Sequence, residues 1–126
     1  MPKVLIVEDN EMDRDMLGRR LTRKGFNLFC AVDAPSGISL ASTELPDVIL
    51  MDLSLGKMDG WEAIHCIRSN PATANIPIIV LTSHPLERDR AKSVESGCKD
   101  FDTKPVDLPR LLSKINACLA TGHTVR

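Results

Sequence analysis

Apolar residues occur along the chain in two patterns that alternate, short continuous runs and longer stretches with helical spacing. Runs of four are typical of strands that are buried on both faces of a parallel sheet. Three such runs occupy residues 4–7, 48–51 and 78–81. Residues 27–32 and 100–103 are weaker candidates, and the second is too polar for the centre of a sheet. The pattern therefore predicts five strands, with residues 100–103 at a sheet edge.

The stretches between the strands carry apolar residues that recur every three or four positions, as the buried face of an amphipathic helix requires. Trp61 lies on the third predicted helix, where we expect it to pack against the core. The clearest stripe is in the last stretch and consists of Leu108, Leu111, Leu112, Ile115 and Leu119. The five predicted helices cover residues 11–24, 36–44, 59–68, 86–96 and 107–120.

Strands and helices thus alternate five times along 126 residues, a length that suits one domain. Because parallel strands need right-handed crossover connections, the helices are expected to cover both faces of a mostly parallel sheet. The predicted fold class is α/β, with a doubly wound sheet of five strands. We expect residues 1–126 to form this single domain, with no output domain.

The composition excludes several classes of protein. Hydrophobic residues make up 43% and charged residues 26% of the chain, which is typical of a globular domain. Sixteen basic residues against seventeen acidic ones exclude a generally basic surface, so we expect no nucleic-acid partner. The longest apolar runs are too short for a membrane span or a signal peptide, so we expect no membrane partner. These features predict a cytoplasmic protein.

The cysteines and histidines show no metal-ligand spacing. Cys30, Cys66, Cys98 and Cys118 form no CxxC pair, and in a reducing cytosol we expect them to be buried as small hydrophobic side chains. The three histidines are scattered along the chain, which disfavours a zinc site.

Polar residues of the kinds that form catalytic and metal-binding sites follow four of the predicted strands. Ligands of open α/β sheets bind beyond the carboxyl ends of the strands, so these residues should meet at one edge. Three carboxylates held close together would repel one another unless a cation joined them, and an all-oxygen ligand set suits Mg²⁺. The residues are Glu8 and Asp9 after the first strand, Asp52 after the third, Thr82 and Ser83 after the fourth, and Lys104 and Pro105 after the fifth.

Five short motifs in this order resemble the receiver domains of bacterial two-component response regulators. They are VLIVEDN at 4–10, VILMDL at 48–53, MDG at 58–60, IVLTS at 79–83 and KP at 104–105. The resemblance covers residues 3–119 and implies a flavodoxin-like (βα)5 fold with the strand order 2-1-3-4-5. It also implies a stand-alone receiver of the chemotaxis-regulator type.

The resemblance implies the reaction and its metal. Asp52 would be the phosphoacceptor, and its carboxylate would attack a phosphoryl group to form an acyl phosphate. Mg²⁺ would be held by Asp9, by Asp52 and by the backbone carbonyl of Ser54, with Glu8 acting mainly through a bound water. The metal would neutralise both the carboxylates and the phosphoryl oxygens.

The resemblance also implies the groups that bind the phosphoryl oxygens. Lys104 would pair with one oxygen and Thr82 would hydrogen-bond another, which makes both of them catalytic residues, and Ser83 would be a further phosphoryl-binding residue. A cis peptide before Pro105 would aim the lysine into the site.

Three further positions have two interpretations or depart from the common family pattern. Many receivers have two aspartates where this chain has Glu8–Asp9, and the longer glutamate should still reach a metal-bound water. Phe101 stands where the family has its switch aromatic, which acts together with the switch residue Thr82, or it is an ordinary apolar residue on an edge strand. His84 would modulate the phosphoryl pocket, or it is a solvated loop histidine.

The implied function is signalling, with catalysis limited to the chain's own phosphorylation and dephosphorylation. The phosphoryl donor would be a sensor histidine kinase or a histidine phosphotransfer protein, and a separate effector protein would read the changed surface. A phosphatase with an aspartyl nucleophile is disfavoured because position 54 is serine, and a flavin module because residues 8–11 contain three acids. A receiver-like binding module that works without phosphorylation is the remaining alternative.

Overall fold

The elements of the fold alternate between strand and helix over residues 3–82. The computed structural model describes residues 2–53, 60–82 and 98–124, so the predicted helix at 86–96 lies outside the described residues. The described elements are β1 (Lys3–Val7), α1 (Glu11–Arg23), β2 (Asn27–Ala31), α2 (Ala34–Glu44), β3 (Val48–Asp52), α3 (Gly60–Ser69), β4 (Ile78–Thr82), β5 (Asp100–Thr103) and α4 (Leu108–Thr124).

The five strands form one parallel sheet with the order β2-β1-β3-β4-β5. This order confirms the predicted fold class and places β5 at an edge, as its polar sequence predicted. The register aligns Asp52 with Leu81, and Thr82 with Thr103. The carboxyl ends of β3, β4 and β5 therefore lie side by side, because backbone hydrogen bonds fix their relative positions.

Each face of the sheet is covered by its own layer of helices. On one face, Ala34 and Ala41 of α2 and Ile64 of α3 pack against inward-facing residues such as Val7 and Met51. On the other face, α1 and α4 bury a second cluster that includes Leu17, Leu21, Leu111, Ile115 and Cys118. The three central strands β1, β3 and β4 are buried on both sides as a result, which explains why their sequences are continuously apolar. Trp61 packs half-buried against the first cluster, which confirms its interpretation as a packing residue.

The ends of the helices follow their caps more closely than their apolar stripes. Helix α2 begins at Ala34, two residues before the predicted start, because Asp33 accepts a hydrogen bond from the Ser36 N–H and caps the helix. Pro35 fits in the first turn, where its missing N–H needs no partner. Helix α4 continues to Thr124, four residues beyond the predicted end at Ala120.

The edge strand β5 is joined to α4 by a group of charged residues that we call the helix–strand cluster: Asp102, Arg110 and Lys114. Asp102 is 4% exposed, and its Oδ1 accepts a hydrogen bond of 2.8 Å from Arg110 Nε. Within the described ranges its Oδ2 has no hydrogen-bond partner, and it lies 3.8 Å from Lys114 Nζ. One buried carboxylate thus faces two cations of the same helix.

The outward backbone groups of β5 are occupied by side chains of the chain itself. The N–H groups of Phe101 and Thr103 donate to the carboxylates of Asp100 and Asp102, each over 2.8 Å. Lys114 Nζ donates to the carbonyl of Phe101 over 2.5 Å. The free edge of β5 is therefore capped, which natural sheets use to prevent pairing with another strand.

The cysteines differ in burial. Cys118 is buried in the second cluster, as predicted, and Cys66 and Cys98 are half-buried. Cys30 is exposed, so the prediction of burial is wrong for this residue. The reason is that β2 is an edge strand with one neighbour, and the flank of α1 leaves the position of Cys30 open. Among the described residues, no helix is long and apolar enough to cross a membrane.

Candidate functional site

Three carboxylates meet at the carboxyl ends of β1 and β3. Glu8 follows β1 and Asp52 ends β3, and these residues are 3% and 2% exposed, while Asp9 is exposed. One carboxylate oxygen from each residue lies within 4.8 Å of the other two. An all-oxygen set of this size suits a hard divalent cation, and Mg²⁺ in particular keeps several waters and takes few carboxylates. The residues therefore fit the predicted metal.

Lys104 reaches the same carboxylates from the end of β5. Its Nζ donates a hydrogen bond to Glu8 Oε1 and lies 3.4 Å from Asp52 Oδ2 and 3.8 Å from Asp13 Oδ2. The lysine side chain is only 15% exposed. We call Glu8, Asp9, Asp52 and Lys104 the strand-end cluster. It contains three acids and one cation, so it carries an excess of negative charge.

Backbone hydrogen bonds fix the positions of these side chains. The Glu8 N–H donates to the carbonyl of Ala31 over 3.0 Å, and Arg14 Nη1 donates to the carbonyl of Glu8 over 2.9 Å. The Lys104 N–H donates to the carbonyl of Thr82 over 2.8 Å, and the peptide bond from Lys104 to Pro105 is cis. The site is therefore built on strand ends that the sheet itself holds in register.

Gly60 brings α3 against the backbone that carries Asp52. A Cβ atom at this position would lie 2.7 Å from the carbonyl oxygen of Asp52 and 2.9 Å from the Cα of Leu53. The Gly60 N–H also donates to the carbonyl of Leu53 over 3.3 Å. Only a residue without a side chain permits this approach, which explains the glycine of the MDG motif.

The electrostatics of the cluster favour a bound cation. Burial raises the pKa of Glu8 above its ordinary value, and the hydrogen bond with Asp52 raises it further, against the opposing effect of Lys104. Burial alone would lower the pKa of Lys104, but the hydrogen bond with Glu8 and the attraction of Asp52, Glu8 and Asp13 outweigh it and raise the pKa. Lys104 thus stays charged, while Glu8 resists becoming a second negative charge beside Asp52.

The remaining predicted site residues divide into two groups. Thr82 is 5% exposed at the end of β4, beside Thr103, and Phe101 is half-buried against the core cluster of the α2 and α3 face. Ser54, Ser83 and His84 lie outside the described residues.

Sequence reasoning missed the residues that support the site from the first turn of α1. Asp13 lies within ion-pair distance of Lys104, and Arg14 holds the backbone of Glu8. The sequence does contain a signal for these residues. A helix that starts at Glu11, directly after the acids at the end of β1, must have its first turn beside the site. Asp102 was also missed, since a carboxylate facing α4 has no hydrophobic pattern that marks it as buried.

Comparison with known proteins is consistent with this arrangement. A family model described as the response regulator receiver domain matches residues 4–116. Protein PilH from Pseudomonas aeruginosa is 35% identical over 120 residues, which cover 95% of this chain and 99% of PilH. The response regulator PleD from Caulobacter vibrioides is 32% identical over 115 residues, which cover 91% of this chain. The chain spans a quarter of PleD's length, since the match covers 25% of that protein.

A solved structure has both the fold and a metal at the corresponding kind of site. It is the receiver domain of the sensor histidine kinase PA1611 from Pseudomonas aeruginosa PAO1, with a magnesium ion coordinated in the active site cleft. The TM-score is 0.87 at 28% identity, with 94% of this chain and 98% of that chain covered. These matches confirm the resemblance inferred from the five motifs, and the chain belongs to the family of response regulator receiver domains.

Proposed function

We propose that the chain is a phosphoacceptor that receives a phosphoryl group on Asp52 from a sensor histidine kinase or a histidine phosphotransfer protein. The observation that carries the proposal is the strand-end cluster, in which a buried Asp52 carboxylate lies 3.4 Å from Lys104 Nζ and within a cation-sized group of acids. Family membership supports the same reaction class.

In the transfer step, an oxygen of the Asp52 carboxylate forms a bond to phosphorus. The bond from phosphorus to the donor's imidazole nitrogen breaks, and its electron pair leaves with the imidazole. The product is an acyl phosphate on Asp52. Lys104 pairs with a phosphoryl oxygen, for which it exchanges its present contact with Glu8, and Thr82 and Ser83 bind the remaining oxygens.

The carboxylates of Glu8, Asp9 and Asp52 and the backbone carbonyl of Ser54 would hold Mg²⁺. When bound, the ion neutralises the acids and the phosphoryl oxygens, so that an acidic pocket accepts an anion. The magnesium ion in the PA1611 receiver supports this assignment. The excess negative charge of the strand-end cluster is the physical reason why a divalent cation would bind there.

The output of the switch follows from the elements that carry the phosphoryl-binding residues. Thr82 ends β4 and Phe101 lies on β5, so a shift of either side chain changes the surface beside β5 and α4. His84 modulates the lifetime of the acyl phosphate. A separate effector protein in the cytoplasm reads this surface, and neither nucleic acid nor a membrane takes part.

The proposal is tested by labelling the purified chain with acetyl phosphate and Mg²⁺ and measuring the phosphoryl adduct by intact mass. We expect a single adduct on the wild type, none on Asp52→Asn, and an unchanged adduct on Asp15→Asn, which removes an exposed carboxylate of α1. An adduct of equal yield on Asp52→Asn would exclude Asp52 as the acceptor. Absence of any adduct on the wild type, also with a cognate kinase, would favour the phosphorylation-independent binding module instead.

A further inference from the structure

The second edge strand of the sheet, β2, presents unused backbone groups. The Asn27 N–H donates to the carbonyl of Pro2, and the Ala31 carbonyl accepts from the Glu8 N–H. Backbone groups of successive residues in a strand point in alternate directions, so those of Leu28 and Cys30 face away from β1. In the part of the chain that the structure describes, these N–H and C=O groups have no hydrogen-bond partner.

β2 also lacks the features that usually protect an edge. Residues Asn27–Ala31 contain no charged side chain and no proline, and Cys30 is exposed. The other edge, β5, is capped by Asp100, Asp102 and Lys114. An uncapped and uncharged edge is a template for another strand.

A groove runs beside this edge, between β2 and the flank of α1. It has a volume of about 870 Å³, and Leu28 and Cys30 form its floor. Gly18 leaves space above the strand, since a Cβ atom there would lie 4.0 Å from Cys30 Sγ. The middle of α1 is therefore level with Cys30 along the sheet.

The charges on this flank of α1 are arranged symmetrically with opposite sign. Glu11 and Asp15 line the groove in the first half of the helix, and Arg19 and Arg23 line it in the second half. Arg14 also lines the first half, but its guanidinium donates to the carbonyl of Glu8, and Asp15 and Arg19 form an ion pair of 3.0 Å within the helix. The pairs Glu11 with Arg23 and Asp15 with Arg19 have the same midpoint in sequence, Leu17. A twofold axis at this level would bring each acid of one copy opposite a base of the other, which is the self-complementarity of an isologous interface.

We propose that β2 pairs antiparallel with β2 of a second copy of this chain, joining the two sheets into one of ten strands. Cys30 of each copy then lies opposite Cys30 of the other, on the twofold axis, so the outward N–H and C=O groups of Cys30 are paired in both copies. The helix charges have their midpoint at Leu17, one residue from Gly18, and Gly18 lies beside Cys30. One twofold axis at the level of Cys30 therefore serves both the strands and the helices to within about 1.5 Å. The proposal stands independently of phosphorylation.

Analytical ultracentrifugation of the full chain over a range of concentrations tests the backbone pairing. We expect the wild type and Cys30→Ser to form dimers and Cys30→Pro to remain monomeric, because proline removes an outward N–H without touching the β1–β2 ladder. Circular dichroism checks that the proline variant is folded. A wild type that is monomeric at every concentration would overturn the proposal.

A charge exchange tests the arrangement of the helices with exposed residues that do not affect folding. Arg23→Glu places like charges opposite each other twice in a twofold dimer, so we expect dimer dissociation to be favoured by roughly tenfold. Adding Glu11→Arg to the same chain should restore the wild-type dissociation constant. A dimer that Arg23→Glu leaves unchanged, or that the double variant fails to restore, would show that the copies associate through another surface.

Discussion

Asp52 and Asp102 are both buried carboxylates beside a lysine, but their surroundings differ in charge balance. Asp52 belongs to the strand-end cluster, where three acids share one cation. Asp102 belongs to the helix–strand cluster, where the one buried acid faces two cations of α4. The same cations also contact Asp100 and Asp107, which are more exposed. Burial and the presence of a lysine are thus common to both, and they differ in the number of cations that face the buried acid, one at Asp52 and two at Asp102.

The difference indicates what each cluster requires. The strand-end cluster is incomplete in charge, so it gains free energy from a divalent cation and then from an anion that the cation attracts. The helix–strand cluster is already compensated and joins an edge strand to a helix. An uncompensated excess of buried charge therefore marks the functional site more clearly than burial alone.

The largest expected effect is the loss of phosphoryl labelling in Asp52→Asn, since no other group in the strand-end cluster replaces the nucleophile. The same substitution removes a repulsive carboxylate beside Glu8, so the free energy of unfolding without metal should rise by about 1 kcal/mol. Labelling and urea denaturation measure the two effects. A fall in stability would mean that Lys104, and not Glu8, dominates the surroundings of Asp52.

The second prediction concerns Asp102. Its replacement by alanine should lower the free energy of unfolding and leave phosphoryl labelling of Asp52 unchanged. Asp102→Ala leaves Arg110 without its buried partner. Because the Arg110 side chain is 44% exposed and solvent screens its charge, we expect the loss in the free energy of unfolding to be limited to about 2 kcal/mol.

The matched control for this variant is Asp102→Leu. A hydrophobic side chain of similar volume should be within about 1 kcal/mol of the wild type, because it removes the charge together with its desolvation penalty. Urea denaturation of both variants checks this. Equal destabilisation by Ala and Leu would show that the ion pairs themselves, and not packing, stabilise this edge.

The third effect concerns metal. At a free concentration of about ten times its dissociation constant, Mg²⁺ should raise the free energy of unfolding by about 1.4 kcal/mol. The rise should vanish in Asp9→Asn and persist in Asp102→Leu. Denaturation with and without Mg²⁺ measures it, with the single tryptophan, Trp61, as the fluorescent probe. A rise of equal size in Asp9→Asn would place the metal elsewhere.

Two glycines should respond to alanine with effects on stability of opposite sign, and the smallest effect of all is expected at Gly18. Gly60→Ala should lower the free energy of unfolding by about 1–2 kcal/mol, because its Cβ meets the backbone of Asp52. It should also weaken the Mg²⁺ response. Gly18→Ala, in the middle of α1, should raise stability by about 0.5 kcal/mol, because the added Cβ would make only an ordinary contact of 4.0 Å with Cys30 Sγ. Thermal denaturation of both variants measures these effects. A Gly60→Ala variant as stable as the wild type would show that a Cβ at this position does not clash with the backbone of Asp52.

Most of the fold could be predicted because the three central strands are buried on both faces. Continuous apolar runs such as 48–51 leave little alternative to a parallel sheet, and the polar sequence of 100–103 indicates an edge. The start of α2 was placed too late because Asp33 and Pro35 act through backbone groups, which apolar periodicity does not reveal. The exposure of Cys30 depends on the position of α1, which no local pattern contains.

The candidate site was predictable only where chemistry coincides with a strand end. Glu8, Asp9, Asp52 and Lys104 each follow or end a strand, so topology alone brings them to one edge. Asp13 and Arg14 reach the site from the first turn of α1 and not from a strand end, so strand ends alone do not reveal them. The contact of Gly60 with the backbone of Asp52 depends on the path of the chain after β3. The distances that decide charge balance, such as 3.4 Å from Lys104 to Asp52, arise from the packed sheet.

The capped edge of β5 has a consequence for how many copies can join. A sheet with two open edges could add neighbours without end and grow into a fibre, as cross-β assemblies do. Here the outward N–H groups of Phe101 and Thr103 are already taken by Asp100 and Asp102. Pairing through β2 would therefore stop at two copies, because Asp100 and Asp102 occupy the outward N–H groups of β5 that a third copy would need.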